Sequence, residues 1–261
     1  MQDMKILLAA CVLFPALSHA ELVEKTVEYK SGGDVMEGFH VYDDAVEGER
    51  PGILVVHQWT GLGDHEKERS RKLAELGYNV FAADIYGKGV RPQPPASGAE
   101  AGKYKENRDL YRTRLAAGLV ILKSDARTDK SELGAVGFCF GGTGVLEMAR
   151  AGMGVSGVVS FHGGLAAAEG KEAKEGGVKT AILVCHGAAD PHVSPEEVMG
   201  FGKEMSQAKV DWEMDIYSDA VHSFTQKSAG DDPSKGSAYN KRADERSWAA
   251  MKNFFAMIFA K

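Results

Sequence analysis

The sequence predicts an α/β domain in which a mostly parallel central sheet carries helices on both faces. Two observations lead to this prediction. Short apolar runs alternate along the chain with longer segments that have helical spacing. Such runs are typical of strands buried on both faces, and strands separated by helices pair in parallel. The N-terminal part instead alternates apolar and polar residues, which predicts an antiparallel hairpin.

The predicted elements follow in a regular order along the chain. The hairpin is expected from residues 23–29 and 35–42, which a Ser-Gly-Gly-Asp turn joins. The buried strands are predicted at 52–56, 80–83, 134–138, 155–161, 181–185 and 212–217, and the helices at about 64–76, 104–126, 142–150, 195–208 and 239–260. Residues 87–103 are rich in Gly, Pro and Ala and predict a long loop.

Composition limits the possible function classes. The chain has 261 residues, of which 44% are hydrophobic and 26% are charged, and this suits one large α/β domain. The net charge is −6 with both signs mixed along the chain. Because no basic patch is present, we expect no nucleic-acid partner and no binding to a membrane surface. The domain is expected to act as a monomer on a small molecule.

The N-terminus has the pattern of a secretory signal peptide. Lys5 precedes an apolar run of about a dozen residues, and Ser18 and Ala20 supply small residues for cleavage. We therefore expect export to the periplasm, cleavage after Ala20 and a mature single domain over 21–261. The run is too short to span a membrane. A buried first helix and a lipoprotein anchor at Cys11 are the alternatives.

Residues 137–142, Gly-Phe-Cys-Phe-Gly-Gly, lie between a predicted strand and a predicted helix. A nucleophile flanked by glycines at such a junction describes the sharp turn called a nucleophile elbow. The middle residue, Cys139, would lie at a helix N-terminus, where the helix dipole favours the reactive thiolate. The alternative is a glycine-rich turn that holds a buried, unreactive thiol.

Two further strand ends supply partners for Cys139. In a sheet of this kind the ligand site lies beyond the carboxyl ends of the strands. Asp190 follows the strand at 181–185, and His222 follows the last strand. The chain order of nucleophile, acid and histidine is that of a hydrolase triad, in which the histidine is the base for the thiol. As alternatives, Asp190 would form an Asx turn before Pro191, and His222 would be a surface loop residue.

The remaining chemistry-bearing residues predict no cofactor. The eight histidines have no metal-ligand spacing, and no glycine-rich phosphate loop is present. Cleavage after Ala20 would leave Cys139 and Cys185, both expected at strand ends where a disulfide would cross the active-site rim. The mature protein is therefore expected to lack disulfides, metal and cofactor. Asp84 is expected to brace the loop after its strand, and His57 and His186 to bind backbone groups.

With these motifs, residues 23–258 resemble the dienelactone hydrolase family of α/β-hydrolases. The resemblance rests on six segments, which are 57–62 (His-Gln-Trp-Thr-Gly-Leu), 83–87 (Ala-Asp-Ile-Tyr-Gly), the elbow at 137–142, His186-Gly187-x-x-Asp190, His222-Ser223-Phe224, and Tyr239 with Ala243. It implies an α/β-hydrolase fold and a Cys139–His222–Asp190 triad that forms an acyl-enzyme with esters or lactones. It also implies an oxyanion hole made by the backbone N–H groups of Phe140 and Trp59. The substrate pocket is expected to include Gln58, Trp59, Tyr86 and His162.

Two positions depart from the pattern of the best-known family members. Those members have a Glu at the position of Gln58, where it contacts the thiol, and an Arg at the position of Gln226, where it holds the substrate carboxylate. Gln58 has no ionisable group, so a simple Cys139–His222 pair is expected to generate the thiolate. Carboxylated lactones are in doubt as substrates, and Arg91, Arg108 and Arg112 are expected to be solvated at the surface rather than to replace the missing arginine.

The sequence thus predicts a cofactor-free hydrolase of small carboxylic esters or lactones. One alternative is a thioesterase or acyltransferase on the same scaffold. The other is a non-catalytic protein that binds a small molecule in the same pocket, which the change at Gln58 would permit.

Overall fold

The computed structural model describes residues 21–260, and a single eight-stranded sheet organises them. The strands are β1 (Leu22–Ser31), β2 (Asp34–Asp43), β3 (Arg50–Val56), β4 (Asn79–Ala83), β5 (Thr128–Phe138), β6 (Gly157–Phe161), β7 (Ala181–Gly187) and β8 (Trp212–Tyr217). The helices are α1 (Asp64–Ala74), α2 (Ala96–Glu106), α3 (Arg108–Ser124), α4 (Phe140–Arg150), α5 (Pro195–Gln207) and α6 (Lys241–Phe259).

The strand order across the sheet is β1-β2-β4-β3-β5-β6-β7-β8. β1 and β2 form an antiparallel hairpin, and β2 is antiparallel to β4. All the pairs from β4 to β8 are parallel. The predicted fold class, a mostly parallel sheet with an N-terminal antiparallel hairpin, is confirmed. Its parallel strands all end at one edge, where the loops after β3, β4, β5, β7 and β8 meet.

Helices cover both faces of the sheet. Side chains alternate between the two faces along each buried strand, so the apolar side chains on each face need a layer of helices to cover them. On one face, Leu54 and Val56 of β3 belong to a core that also includes residues of α2, α3, α4 and α5. On the other face, Ile53 and Val55 pack in a second core with residues of α1 and α6. All four of these β3 side chains are fully buried.

The main difference from the sequence prediction lies in the segment 87–106. The predicted loop over 87–103 is wrong in its second half, which forms α2 from Ala96. The predicted single helix over 104–126 is divided at Asn107, whose side-chain oxygen accepts a hydrogen bond from the backbone N–H of Leu110 and caps α3. α2 is amphipathic only weakly in sequence, and burial of Ala101 and Tyr104 in the core holds it against the sheet.

The predictions that concern the N-terminus lie outside the described residues. They are the signal peptide over 1–20, its cleavage after Ala20 and the lipoprotein alternative at Cys11. Between residues 21 and 260, none of the helices combines the length and the apolar character that a membrane span requires.

Candidate active site

Cys139 occupies a sharp turn between β5 and α4. Its backbone has φ 54° and ψ −114°, a conformation that residues with a side chain rarely adopt. The turn brings its flanking backbone so close that larger residues are excluded. A Cβ atom on Gly137 would lie 1.9 Å from the carbonyl oxygen of Gly141, and one on Gly141 would lie 2.1 Å from that of Val56. The predicted elbow is therefore present, with Cys139 at the N-terminus of α4.

The loops after three strands bring the predicted triad together. His222, in the loop after β8, places its Nε2 3.0 Å from the Sγ of Cys139. The Nδ1 of the same ring lies 2.8 Å from the Oδ2 of Asp190, which follows β7. The other oxygen of Asp190 accepts a hydrogen bond from the backbone N–H of His192 at 2.9 Å. The side chains thus form a continuous hydrogen-bonded chain from carboxylate to imidazole to thiol, whereas Cys185 is a separate, buried free thiol.

The surroundings of Cys139 favour its thiolate. Burial raises the pKa of the thiol, but the charge and the hydrogen bond of His222 lower it. Lys105 and the backbone N–H of Phe140 lower it further, so the net pKa lies below the ordinary value of a thiol. By contrast, burial raises the pKa of Cys185 far above that value. Of the two thiols, only Cys139 has a reactive environment.

The pKa values of His222 and Asp190, the two partners of Cys139, are shifted in directions that favour proton transfer from the thiol. Burial lowers the pKa of His222, but the Cys139 sulfur and the Asp190 carboxylate outweigh it and raise the pKa to about 10. Burial raises the pKa of Asp190, but its hydrogen bond and charge interaction with His222 leave that pKa below the ordinary value. These directions favour transfer of the thiol proton to the imidazole, beside an ionised carboxylate.

Phe140 and Trp59, whose backbone N–H groups are expected to form an oxyanion hole, both line the cavity that contains Cys139. The Phe140 N–H begins α4, where the helix dipole favours negative charge. The Trp59 N–H lies in the loop after β3 and donates to no acceptor among residues 21–260. The N–H of Cys139 itself is occupied, since it lies 3.0 Å from the oxygen of Phe161 and 3.2 Å from the Nδ1 of His162. The Cys139 N–H is therefore not available as a further donor, and the prediction stays with Phe140 and Trp59.

A cavity of about 430 Å³ opens in front of the sulfur. Its lining residues come from the strand-end loops and from one face of α2. They are Trp59, Gly98, Ala101, Gly102, Lys105, Cys139, Phe140, Gly164, His192, Val193, His222, Ser223 and Ser237. Four of them, Gly98, Ala101, Gly102 and Lys105, recur at helical spacing, which puts them on one side of α2. The segment 96–106 is thus a wall of the cavity.

Of the four predicted pocket residues, the structure places only Trp59 on the cavity wall. Gln58 and Tyr86 are buried and do not line it, although the hydroxyl of Tyr86 donates a hydrogen bond of 3.0 Å to the Trp59 oxygen. His162 lies behind Cys139, and its Nε2 is 2.9 Å from the hydroxyl oxygen of Thr225. Burial holds the pKa of His162 well below its ordinary value, so the ring is neutral. The side chains of Gln58, Tyr86 and His162 are thus buried next to the residues that line the cavity and are not part of its lining.

Several lining residues were missed by the sequence analysis. The most notable is Lys105, which faces the cavity, forms no ion pair within residues 21–260 and acts on the Cys139 thiol through its charge. Gly98 and Lys105 have helical spacing in the sequence. Because residues 87–103 were predicted to form a loop, this spacing was not recognised as one face of a helix. His192 also lines the cavity, with its ring centre 5.0 Å from that of His222.

The arginines near the predicted loop do not line the cavity. Arg112 is paired with Glu147 at 2.7 Å, and Arg91 donates to the backbone oxygen of Leu62 at 2.7 Å. Arg91, Arg108 and Arg112 are all partly buried rather than solvated at the surface, which corrects the expectation for all three. The side-chain nitrogen of Gln226 donates to Ser228, away from the cavity.

The smaller expectations for strand-end residues have mixed outcomes. Asp84 braces the loop that follows it, because its Oδ1 accepts hydrogen bonds from the backbone N–H groups of Tyr86 and Gly87. His57 binds backbone groups on both sides, with Nδ1 2.6 Å from the Gln58 oxygen and Nε2 3.1 Å from the Ile85 nitrogen. The expectation for His186 is wrong, since its buried Nδ1 has no partner within residues 21–260.

Comparison with known proteins identifies the family to which this arrangement belongs. The model of the dienelactone hydrolase family matches residues 36–259, which is most of the chain. The chain belongs to the dienelactone hydrolase family. The predicted resemblance is thereby confirmed, and this dienelactone hydrolase family member is a hydrolase with the α/β-hydrolase fold.

Three similar proteins illustrate the range of the family. A dienelactone hydrolase-like promiscuous phosphotriesterase from metagenomic libraries is 37% identical, with a TM-score of 0.87 over 92% of this chain and 99% of that chain. A protein from Aquifex aeolicus named "Putative carboxymethylenebutenolidase" is 27% identical over 236 residues, which are 88% of this chain and 96% of that protein. A dienelactone hydrolase from Anabaena variabilis shares the fold at 18% identity, with a TM-score of 0.58 over 77% of this chain and 88% of that chain.

Proposed function

We propose that this protein hydrolyses small carboxylic esters or lactones through Cys139, His222 and Asp190. The observation that carries the proposal is the 3.0 Å contact between His222 Nε2 and the Cys139 sulfur, which opens onto a cavity of about 430 Å³. Nucleophile, base and orienting carboxylate lie within hydrogen-bond reach of one another, as covalent catalysis requires. The volume suits a small acyl group and its alcohol.

The reaction follows from the atoms that surround the sulfur. The Cys139 thiolate attacks the carbonyl carbon, and the Phe140 and Trp59 N–H groups stabilise the oxyanion of the tetrahedral intermediate. One such donor is worth roughly 3 kcal/mol in comparable sites. The His222 imidazolium gives its proton to the leaving alkoxide, which departs as the alcohol and leaves a thioester. His222 then removes a proton from water, and the resulting hydroxide releases the acid and restores the thiolate.

Gln58 does not prevent this chemistry. The lowered pKa of the Cys139 thiol arises chiefly from His222, so the thiolate forms without a carboxylate at position 58. A carboxylate in that place would oppose the negative charge on the sulfur. We infer that Cys139 and His222 exist as an ion pair before the substrate binds.

The proposal is tested with Cys139→Ala and with Cys185→Ala as the matched control. With p-nitrophenyl acetate, the wild type should release a stoichiometric burst of nitrophenol, which alkylation by iodoacetamide abolishes. Cys139→Ala should retain less than about a hundredth of the wild-type rate, whereas Cys185→Ala, whose thiol is buried away from the cavity, should keep it. Greater residual activity in a folded Cys139→Ala variant would contradict the triad assignment.

The same assay separates the alternatives. If the scaffold acts as an acyltransferase or thioesterase, an added alcohol or amine will capture the acyl group, or a thioester will be cleaved faster than the oxygen ester. Hydrolysis predicts the free acid as the principal product. If the protein only binds its ligand, no burst will form with any ester.

A second candidate substrate class is suggested by the 37% identical neighbour whose title names a promiscuous phosphotriesterase. The thiolate and the oxyanion donors would act on a phosphoryl centre as they act on a carbonyl. Diethyl p-nitrophenyl phosphate therefore belongs in the substrate screen, with Cys139→Ala as the control. Turnover that Cys139→Ala keeps would assign that activity to other residues.

We also propose that the protein is exported and acts as a monomer. The support for export is the basic and apolar pattern of residues 5–20, which ends in Ser18-His19-Ala20. Expression of the full chain in a Gram-negative host, followed by fractionation and intact mass measurement, should give a periplasmic product that begins at Glu21. A product that retains Lys5, or one that carries lipid on Cys11, would contradict this. Light scattering of the purified product tests the monomer.

A further inference from the structure

The oxyanion donor at Trp59 depends on the orientation of one peptide group. The Trp59 N–H belongs to the peptide that joins it to Gln58, and that peptide is planar with its C=O and N–H on opposite sides. Whatever fixes the Gln58 carbonyl therefore fixes the direction of the Trp59 N–H. The loop 58–63 that contains this peptide lies between β3 and α1.

The carbonyl of Gln58 is held by two donors. The Nδ1 of His57 lies 2.6 Å from it, and the backbone N–H of Gly61 donates to it at 3.1 Å. The other ring nitrogen of His57 accepts from the Ile85 N–H, which puts the proton on Nδ1. Burial lowers the pKa of His57 to about 4, so the ring stays neutral and keeps this arrangement at neutral pH.

The ends of the same loop are held by one carboxylate. Glu66, on the first turn of α1, is fully buried. Its Oε1 accepts a hydrogen bond from the Gln58 N–H at 3.2 Å, and its Oε2 accepts one from the Gly63 N–H at 2.9 Å. A glutamate that only caps a helix would need the second bond alone. The first bond reaches beyond the helix to the residue that precedes the oxyanion donor.

We propose that Glu66 is a positioning residue for the oxyanion hole. Its carboxylate holds both ends of the loop 58–63 and so directs the Trp59 N–H toward the substrate oxygen. This inference rests on the proposed esterase function. Together with His57, Glu66 fixes the backbone N–H and the backbone C=O of Gln58. The Trp59 N–H donates to no acceptor among residues 21–260, and the carbonyl of Trp59 accepts a hydrogen bond from the Tyr86 hydroxyl.

The test compares two reactions of the same sulfur. Acylation by p-nitrophenyl acetate passes through an oxyanion, whereas alkylation by iodoacetamide needs the thiolate but no oxyanion hole. In Glu66→Gln, the amide can offer an oxygen to only one of the two N–H groups and presents its own N–H to the other. We expect acylation to slow about 10- to 100-fold, with the KM and the alkylation rate changed less than about twofold.

The control is Glu68→Gln on the same helix. Glu68 pairs with Lys72 and, among the described residues, forms no hydrogen bond with the loop 58–63. It should leave both rates unchanged. A folded Glu66→Gln variant with normal acylation, or with acylation and alkylation reduced to the same extent, would overturn the proposal. A wild type without a burst would instead refute the proposed function.

Loss of folding is treated as a separate outcome. If Glu66→Gln does not reach the wild-type circular dichroism spectrum, Glu66→Asp is tested in its place. Aspartate keeps the charge, but its shorter side chain no longer spans both N–H groups. A folded Glu66→Asp should show the same selective loss of acylation. If it acylates normally, or if both variants fail to fold, Glu66 acts on stability alone and the positioning role is refuted.

Discussion

The Nε2 of His222 lies 3.0 Å from the Cys139 sulfur, close enough for one proton to be shared between them. The two groups shift one another in opposite directions, since the pKa of the thiol is lowered and that of the imidazole is raised. The reactive form therefore requires Cys139 to be deprotonated and His222 to be protonated. This relationship leads to a prediction about the pH dependence of each step.

In the wild type, alkylation of Cys139 by iodoacetamide should persist well below the pH at which an ordinary thiol, with a pKa near 8.5, loses its reactivity. His222→Gln removes the charge and the hydrogen bond that lower the pKa of the Cys139 thiol, while burial still raises it. The alkylation profile should therefore move to higher pH. Mass spectrometry over a pH series should locate the label on Cys139 and not on Cys185. An unchanged profile in His222→Gln would show that His222 does not stabilise the thiolate.

Hydrolysis should depend on pH in a different way from alkylation. Its acid limb follows protonation of the Cys139 thiol, because the nucleophile is lost below that pKa. Its alkaline limb follows loss of the His222 proton near pH 10, since the leaving group is then no longer protonated. We expect kcat/KM to fall on both sides, whereas alkylation rises with pH to a plateau. A hydrolysis profile without an alkaline limb would contradict the role of the imidazolium as acid.

Asp190→Asn should reduce kcat/KM by about 10²- to 10⁴-fold, because the amide no longer supplies the charge that holds the imidazolium and its orientation. The control is Asp219→Asn, which lies at the end of the neighbouring strand, is exposed and pairs with Arg242 on the surface. It should leave the rate unchanged. An Asp190→Asn variant that keeps more than about a tenth of the wild-type kcat/KM would exclude the assigned role.

Lys105→Met should raise the pKa of the Cys139 thiol slightly, since one of the charges that lower it is removed. The side chain is exposed, so the expected shift in the alkylation profile is roughly 0.5 pH unit or less. High salt should abolish the difference from the wild type. Lys103→Met, on the same helix but paired with Glu100, is the control. A shift of equal size in both variants would show a general charge effect rather than one specific to the cavity.

Gly141→Ala should destabilise the fold as well as abolish activity. The added Cβ would lie 2.1 Å from the Val56 oxygen, and the elbow leaves the backbone no room to move. We expect the free energy of unfolding to fall by about 1–3 kcal/mol in urea denaturation. Gly200→Ala, on α5 with open space around it, is the control and should stabilise by about 0.5–1 kcal/mol. Equal unfolding midpoints would refute the close packing at the elbow.

The sequence was most informative where function depends on the ends of strands. Cys139, Asp190 and His222 each follow a strand that could be recognised from its apolar run, and parallel strands bring those ends to one edge. Their meeting at that edge could therefore be predicted from residue type and chain order, and the fold class with it. The elbow could be recognised because its glycines are dictated by contacts within a few residues of the nucleophile.

The tertiary structure decided what depends on contacts between distant segments. Lys105 faces the cavity because Tyr104 and Ala101 anchor α2 in the core, a placement that the weak periodicity of that segment did not indicate. Glu66 binds the Gln58 N–H because the end of β3 and the first turn of α1 fold against each other. The direction of each pKa shift likewise follows from burial and from neighbours remote in sequence. The sequence alone thus determined the fold class and the residues of the proposed triad, whereas the packing of distant segments determined which side chains support them.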